Sequence, residues 1–111
     1  MNKLAEQVKE EFQGNELVCA KVITLFQLIA NKTRFRIICL LARGEFCVND
    51  IVEVVDAGKL SNISQQLKIL CLAGLIERRR QQKRILYSLK DERIRDMIDY
   101  FRAQFLSPKC N

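Results

Sequence analysis

The apolar positions of this chain change period along its length, and each period predicts an element. Leu4, Val8 and Phe12 lie four residues apart among Lys and Glu, which predicts a short amphipathic helical arm over 3–12, interrupted at Gly14 and Asn15. Over 16–30 the pattern differs: Leu17, Val18, Val22, Ile23, Leu25, Phe26, Leu28 and Ile29 leave only the narrow polar stripe Lys21, Thr24 and Gln27. A helix apolar around most of its circumference has to be covered on two sides. In a chain of 111 residues one of those covers is expected to be a second subunit. The next helix opens at Asn31, buries Phe35, Ile37, Ile38, Cys39, Leu40 and Leu41, and takes Gly44 as a left-handed stop.

Segment 48–55 contains Ile51, Val52, Val54 and Val55, a β-branched run that favours a strand on propensity alone. It is read as a short helix because Asp56-Ala57-Gly58 fits the tight bend of a helix-turn-helix. Beyond that bend, Leu60, Ile63, Leu67, Leu70, Cys71 and Gly74 recur at three- and four-residue spacing and predict a helix with one face on a core, ended by Gly74. Its other face is Ser61, Asn62, Ser64, Gln65, Gln66 and Lys68, mostly short hydroxyl and amide groups able to bond base edges in a major groove. Two strands follow, 76–80 and 84–89, the second with Ile85, Tyr87 and Leu89 facing inwards; the Gln81-Gln82-Lys83 tip has no glycine to fix its turn type. A last helix over 91–106 carries the apolar stripe Ile94, Met97, Ile98, Phe101 and Phe105 before Pro108.

These elements give a mainly α fold with a small β-hairpin, a winged helix-turn-helix of order ααααββα in a single domain over 1–111. Residues 1–14 are its arm, 16–30 and 91–106 its dimerisation helices, 48–74 the helix-turn-helix and 76–89 the wing.

Charge sharpens this picture. The net charge is +6, and Arg78, Arg79, Arg80, Lys83 and Arg84 stand together against the single acid Glu77. A solvated hairpin carries such a run without binding anything; placed directly after a polar-faced helix, it points to phosphate contacts. Histidine is absent, which removes Ser-His and Cys-His catalysis and imidazole metal sites. No phosphate-binding glycine loop is present, so an enzyme is not expected, nor is a cofactor. No apolar run reaches the length of a membrane span, and MNKLAEQVKEEF lacks the apolar core of a signal peptide, so a cytoplasmic protein with no membrane partner is expected. Five cysteines, Cys19, Cys39, Cys47, Cys71 and Cys110, cannot all pair within one chain, and in a reducing compartment a functional one is a sensor or a ligand.

The segments TRFRIICLLARGEFCVNDI (33–51), ISQQLKILCLAGLIERRR (63–80) and RILYSL (84–89), in this order and spacing, resemble the ArsR/SmtB family of dimeric bacterial repressors. The resemblance spans about 17–106 and implies a homodimer that binds an imperfect palindrome in double-stranded DNA and leaves it when an inducer engages the protein. It places Lys59, Ser61, Asn62, Ser64 and Gln65 where the family reads bases, with Lys68 on the same polar face, and Arg79, Lys83 and Arg84 where the wing follows the phosphate backbone. The turn before the reading helix is one residue longer than the family's.

What such a protein senses depends on its cysteines. Cys47 in EFCVND matches the first cysteine of the family's thiophilic-metal motif, but Asn49 stands at the second, so Cys47 is either a ligand completed from elsewhere, by Cys19 for instance, or a small residue that starts a helix. Cys39 matches a redox thiol of the sulfide- and persulfide-responsive subgroup, the BigR-like and HlyU-like regulators. That subgroup's second thiol corresponds to Leu106 here, and Cys110 is the thiol nearest to it. The resemblance therefore implies a switch in which Cys39 with Cys110 is oxidised or persulfidated. The plainer roles are a buried small hydrophobe for Cys39 and a tail residue for Cys110, with Cys71 and Cys19 as packing residues. Three functions stay open: a thiol-switched repressor, a repressor answering soft metal or arsenite through Cys47, and a winged-helix protein-interaction module with no DNA site of its own.

Overall fold

The computed structural model describes residues 2–55 and 59–105. Six helices and three short strands follow in the order α1 (Lys3–Gly14), α2 (Glu16–Ile29), α3 (Lys32–Leu41), β1 (Phe46–Cys47), α4 (Val48–Val55), α5 (Leu60–Leu72), β2 (Ile76–Gln81), β3 (Arg84–Leu89) and α6 (Glu92–Phe105). This is the expected mainly α winged helix-turn-helix, with two additions. The arm is a full helix, and β1 pairs antiparallel with β3 to give a sheet of order β1-β3-β2. No helix among the described residues is long and apolar enough to cross a membrane.

Side-chain caps open α1 and α3. Asn2 Oδ1 accepts from the Ala5 N–H at 2.7 Å to open α1, and Asn31 Oδ1 accepts from the Arg34 N–H at 3.0 Å to open α3. Helix α5 closes with the Leu75 N–H on the Leu70 carbonyl and the Gly74 N–H on the Cys71 carbonyl, while Gly74 sits at φ +79°. That paired pattern needs one residue in the left-handed region, which glycine adopts without a Cβ clash.

The core lies where α3, α4 and α5 meet. Ile37, Ile38 and Leu41 of α3, Ile51 of α4, and Ile63 and Leu70 of α5 are fully buried. Ile94 and Ile98 of α6 complete the same cluster from the other side. Helix α4 forms despite its β-branched run because Ile51 and Val55, one turn apart, both enter this core. Tertiary burial outweighs the small propensity cost.

The structure corrects several expectations. Leu60 is 52% exposed and Gly74 is exposed, because both ends of α5 project past the core that its middle turns fill. Phe35 is 41% exposed rather than buried. Helix α3 ends at Leu41, before Gly44, whose φ of +159° is nearly extended rather than left-handed. In β3 the buried residues are Leu86 and Leu89, with Tyr87 half-buried; Ile85 is exposed because it lies near the wing tip, where no core remains. Cys19 is exposed rather than packed. The Asp56-Ala57-Gly58 turn and Cys110 lie outside the described residues.

Candidate nucleic-acid interface

Helix α5 buries Ile63, Leu67 and Leu70, which orients the rest of its circumference. Ser61, Ser64, Gln65 and Lys68 form one exposed stripe at three- and four-residue spacing. Lys59 precedes it as the exposed N-terminal cap residue. Asn62 and Gln66 do not share the stripe. They are half-buried on its flank, where Gln66 Nε2 donates to Asn62 Oδ1 at 3.2 Å and Arg34 Nη1 donates to Gln66 Oε1 at 2.9 Å.

The wing follows α5 in the chain, and its first strand packs against that helix. β2 and β3 pair from Ile76↔Leu89 to Gln81↔Arg84, leaving Gln82 and Lys83 as the turn. Gln82 takes φ +58°, and its carbonyl oxygen accepts from Arg80 Nε at 3.1 Å, which holds the tip without a glycine. Arg78, Arg79, Arg80, Lys83 and Arg84 are all exposed. Two of the three predicted phosphate ligands are already engaged within the chain. Arg79 donates from Nε and Nη2 to the two carboxylate oxygens of Glu45, at 2.7 and 2.8 Å. These bonds hold the Glu45 carboxyl below the usual carboxylate range, so the pair is fully charged at neutral pH. A bidentate pair fixes the guanidinium plane and leaves its Nη1 side for another acceptor. Arg84 Nη2 lies 3.9 Å from Asp50 and beside Cys47. Arg78 and Arg80 were read in the sequence only as part of the basic run, and Glu45 and Arg34 were not singled out there. The two basic strand residues were visible as charge, but the contacts of Glu45 and Arg34 join positions more than thirty residues apart.

The described cysteines do not cluster. Cys47 ends β1 immediately before α4, and its Sγ lies 3.2 Å from Asp50 Oδ2, a thiol-to-carboxylate hydrogen bond. Cys71 is half-buried against the core. Cys39 is half-buried in α3 and lines a cavity of about 340 Å³ together with Arg36, Arg43 and Arg102. Burial pushes its thiol up, while the Arg102 guanidinium from α6 acts in the opposite direction.

A second surface is apolar. Leu17, Val18, Ile23 and Phe26 of α2 are between half and four-fifths exposed, and so are Tyr100 and Phe105 of α6. Between the two helices runs a cleft of about 510 Å³ lined by Val18, Val22, Leu25, Leu28, Ile94 and Met97.

Residues 31–78, which span α3 to the start of the wing, match the family model described as bacterial regulatory protein, arsR family. The biofilm growth-associated repressor of Agrobacterium fabrum is 33% identical over 82% of this chain and 77% of its own length. The chain belongs to the arsR family of bacterial regulatory proteins. Among solved structures, reduced HlyU from Vibrio cholerae superimposes on this arsR-family regulator with a TM-score of 0.78 at 26% identity, covering 86% of this chain and 99% of that one. The homodimeric winged helix-turn-helix DNA-binding domain Mb0332 from Mycobacterium bovis reaches a TM-score of 0.70 at 27% identity, over 81% of this chain and 82% of that one. Regulators of the arsR family bind DNA.

Proposed function

We propose that this regulator is a homodimeric transcriptional repressor that grips an inverted-repeat operator and releases it when Cys39, with Cys110, is oxidised or persulfidated. The observation that carries the DNA reading is the exposed stripe Ser61, Ser64, Gln65 and Lys68 beside a wing of five cationic residues. The exposed apolar faces of α2 and α6 and the homodimeric Mycobacterium bovis domain support the dimer, and the Agrobacterium protein named a repressor supports repression. A two-fold dimer sets its two reading helices in successive major grooves about 34 Å apart, which calls for an inverted repeat.

In this reading Gln65 reads bases, and Arg79 positions the wing on phosphates. Gln65→Ala is expected to reduce discrimination between operator and random duplex by about 1–3 kcal/mol. Arg79→Ala is expected to weaken both alike and to lower the salt dependence of binding by about one phosphate. Fluorescence anisotropy titrations at several salt concentrations separate the two effects, and equal losses on both duplexes for Gln65→Ala would remove its reading role.

The sensing half rests on where Cys39 lies. Its cavity is shared with Arg102 of α6, so a group added to the thiol enters the seam between the core helix α3 and the helix whose outer face is apolar. Three guanidiniums around a thiol favour an anionic sulfur reactant. The Cys39 thiolate takes one sulfur atom from an inorganic polysulfide, which departs one sulfur shorter. Attack by the Cys110 thiolate then closes a disulfide and expels hydrosulfide. Because burial raises the Cys39 pKa, its thiolate fraction at neutral pH is below that of a free cysteine. Alkylation of reduced protein, followed by mass spectrometry, is therefore expected to be slower at Cys39 than in a model peptide near pH 7 and to approach it as pH rises above the ordinary thiol range. Polysulfide treatment is expected to lower operator affinity in the wild type and to leave Cys39→Ser unaffected. Unchanged affinity in the treated wild type removes the switch while leaving the DNA reading intact.

A further inference from the structure

Three side chains beside the exposed stripe join α3 to α5 by hydrogen bonds whose directions are fixed chemically. Arg34 is itself held in place, donating from Nε to the Leu28 carbonyl at 2.6 Å. Its Nη1 donates to Gln66 Oε1 at 2.9 Å, and Gln66 Nε2 donates to Asn62 Oδ1 at 3.2 Å. A guanidinium has donors and no acceptor, so Gln66 must turn its oxygen towards Arg34 and its amino group away. That amino group likewise only donates, so Asn62 must turn its oxygen towards Gln66. The orientation of the Asn62 amide is thus set by Arg34, two bonds further along the relay. The group left over is Asn62 Nδ2, which has no hydrogen-bond partner among the described residues.

We propose that Arg34 and Gln66 are positioning residues that make Asn62 a donor-only reader of one base in each half-site. This rests on the proposal that α5 reads DNA. A donor-only amide selects an acceptor edge, guanine N7 and O6 or thymine O4, and rejects the cytosine amino group. It also disfavours the two-bond pairing an amide makes with adenine, because the oxygen that would accept from adenine N6 is turned towards Gln66, which already occupies one of its two lone pairs.

Gln66→Glu inverts the relay. A glutamate keeps one oxygen on Arg34 and presents the other to Asn62, which must rotate to donate its amino group and turn Oδ1 outwards. Selection of bound duplexes from a randomised pool tests this, with Asn62→Ala mapping the position that Asn62 reads. Wild type is expected to prefer guanine or thymine there, and Gln66→Glu to prefer cytosine or adenine, each by about tenfold, the scale of one hydrogen bond gained against one left unpaired. Arg34→Met, which removes the fixed donor, is expected to leave that position degenerate, with preferences elsewhere kept. Cytosine at the mapped position in wild type overturns the proposal. It is also overturned if Gln66→Glu binds tightly with an unchanged preference, or if Asn62→Ala alters no position. Loss of all sequence preference in the wild type would instead defeat the underlying proposal that α5 reads DNA.

Discussion

Replacing Val22 and Phe26 together with glutamate is expected to give a folded monomer whose affinity for the full inverted repeat falls by about 100-fold or more, while its affinity for a single half-site is unchanged. Both residues are about half exposed on α2 and lie one turn apart. Neither belongs to the buried cluster, which α2 joins through Ile29 with Leu25 and Leu28 packed against it, so the fold survives their loss. Two carboxylates on this face would have to be desolvated against the partner's apolar surface, and an unpaired buried charge costs several kcal/mol. The loss in operator affinity then comes from losing the second reading head, whose binding is intramolecular once the first is bound. Analytical ultracentrifugation gives the mass and anisotropy the affinities. A variant that stays dimeric, or a wild type that is already monomeric, would exclude α2 as the dimer face.

The second large effect is expected inside the reading helix. Leu67→Ala should lower the unfolding free energy by about 2–5 kcal/mol, against a total of roughly 5–15 for a domain of this kind. Leu67 is 1% exposed and lies in the cluster that joins α5 to α3 and α4, so truncation leaves a cavity that rigid neighbours fill only in part. Leu72→Ala, five residues further along the same helix, removes the same atoms from a side chain that is 79% exposed, and is expected to change stability by no more than about 0.5 kcal/mol. Urea unfolding at matched protein concentration compares the pair, since dimerisation makes stability depend on concentration. Similar losses in both would mean that α5 is not anchored through the face assigned to it.

Most of the fold was legible because its information is local. The periodicity of 60–72 identified α5, and Asn31 and Gly74 marked helix ends through chemistry confined to a few neighbouring residues. The same reasoning failed at the margins of elements. Leu60, Phe35 and Ile85 are apolar at positions that a helical or strand period assigns to the interior, but each lies where its element extends past the core. Strand β1 was missed because two residues carry no period, and Phe46 and Cys47 become a strand only by pairing with Tyr87 and Leu86. For the site, sequence alone found the polar face of α5 and the cations of the wing. Helical spacing already sets Asn62 and Gln66 on a different flank from Ser61, Ser64, Gln65 and Lys68; the sequence had no means of showing that Arg34, thirty-two residues from Gln66, bonds to that flank. It also did not show that Glu45 engages Arg79.

The junction at Leu75 bears on how such a regulator changes over time. Its N–H closes α5 on the Leu70 carbonyl, its own carbonyl accepts the Lys90 N–H at 3.0 Å ahead of α6, and β2 begins at the next residue. Reading helix, wing and the start of the last helix therefore share one anchored frame, whereas Ser61, Ser64, Gln65 and Lys68 take no part in the buried cluster. If the stripe reads DNA as proposed, substitutions along it can change the sequence that is recognised while the buried frame that holds it stays the same.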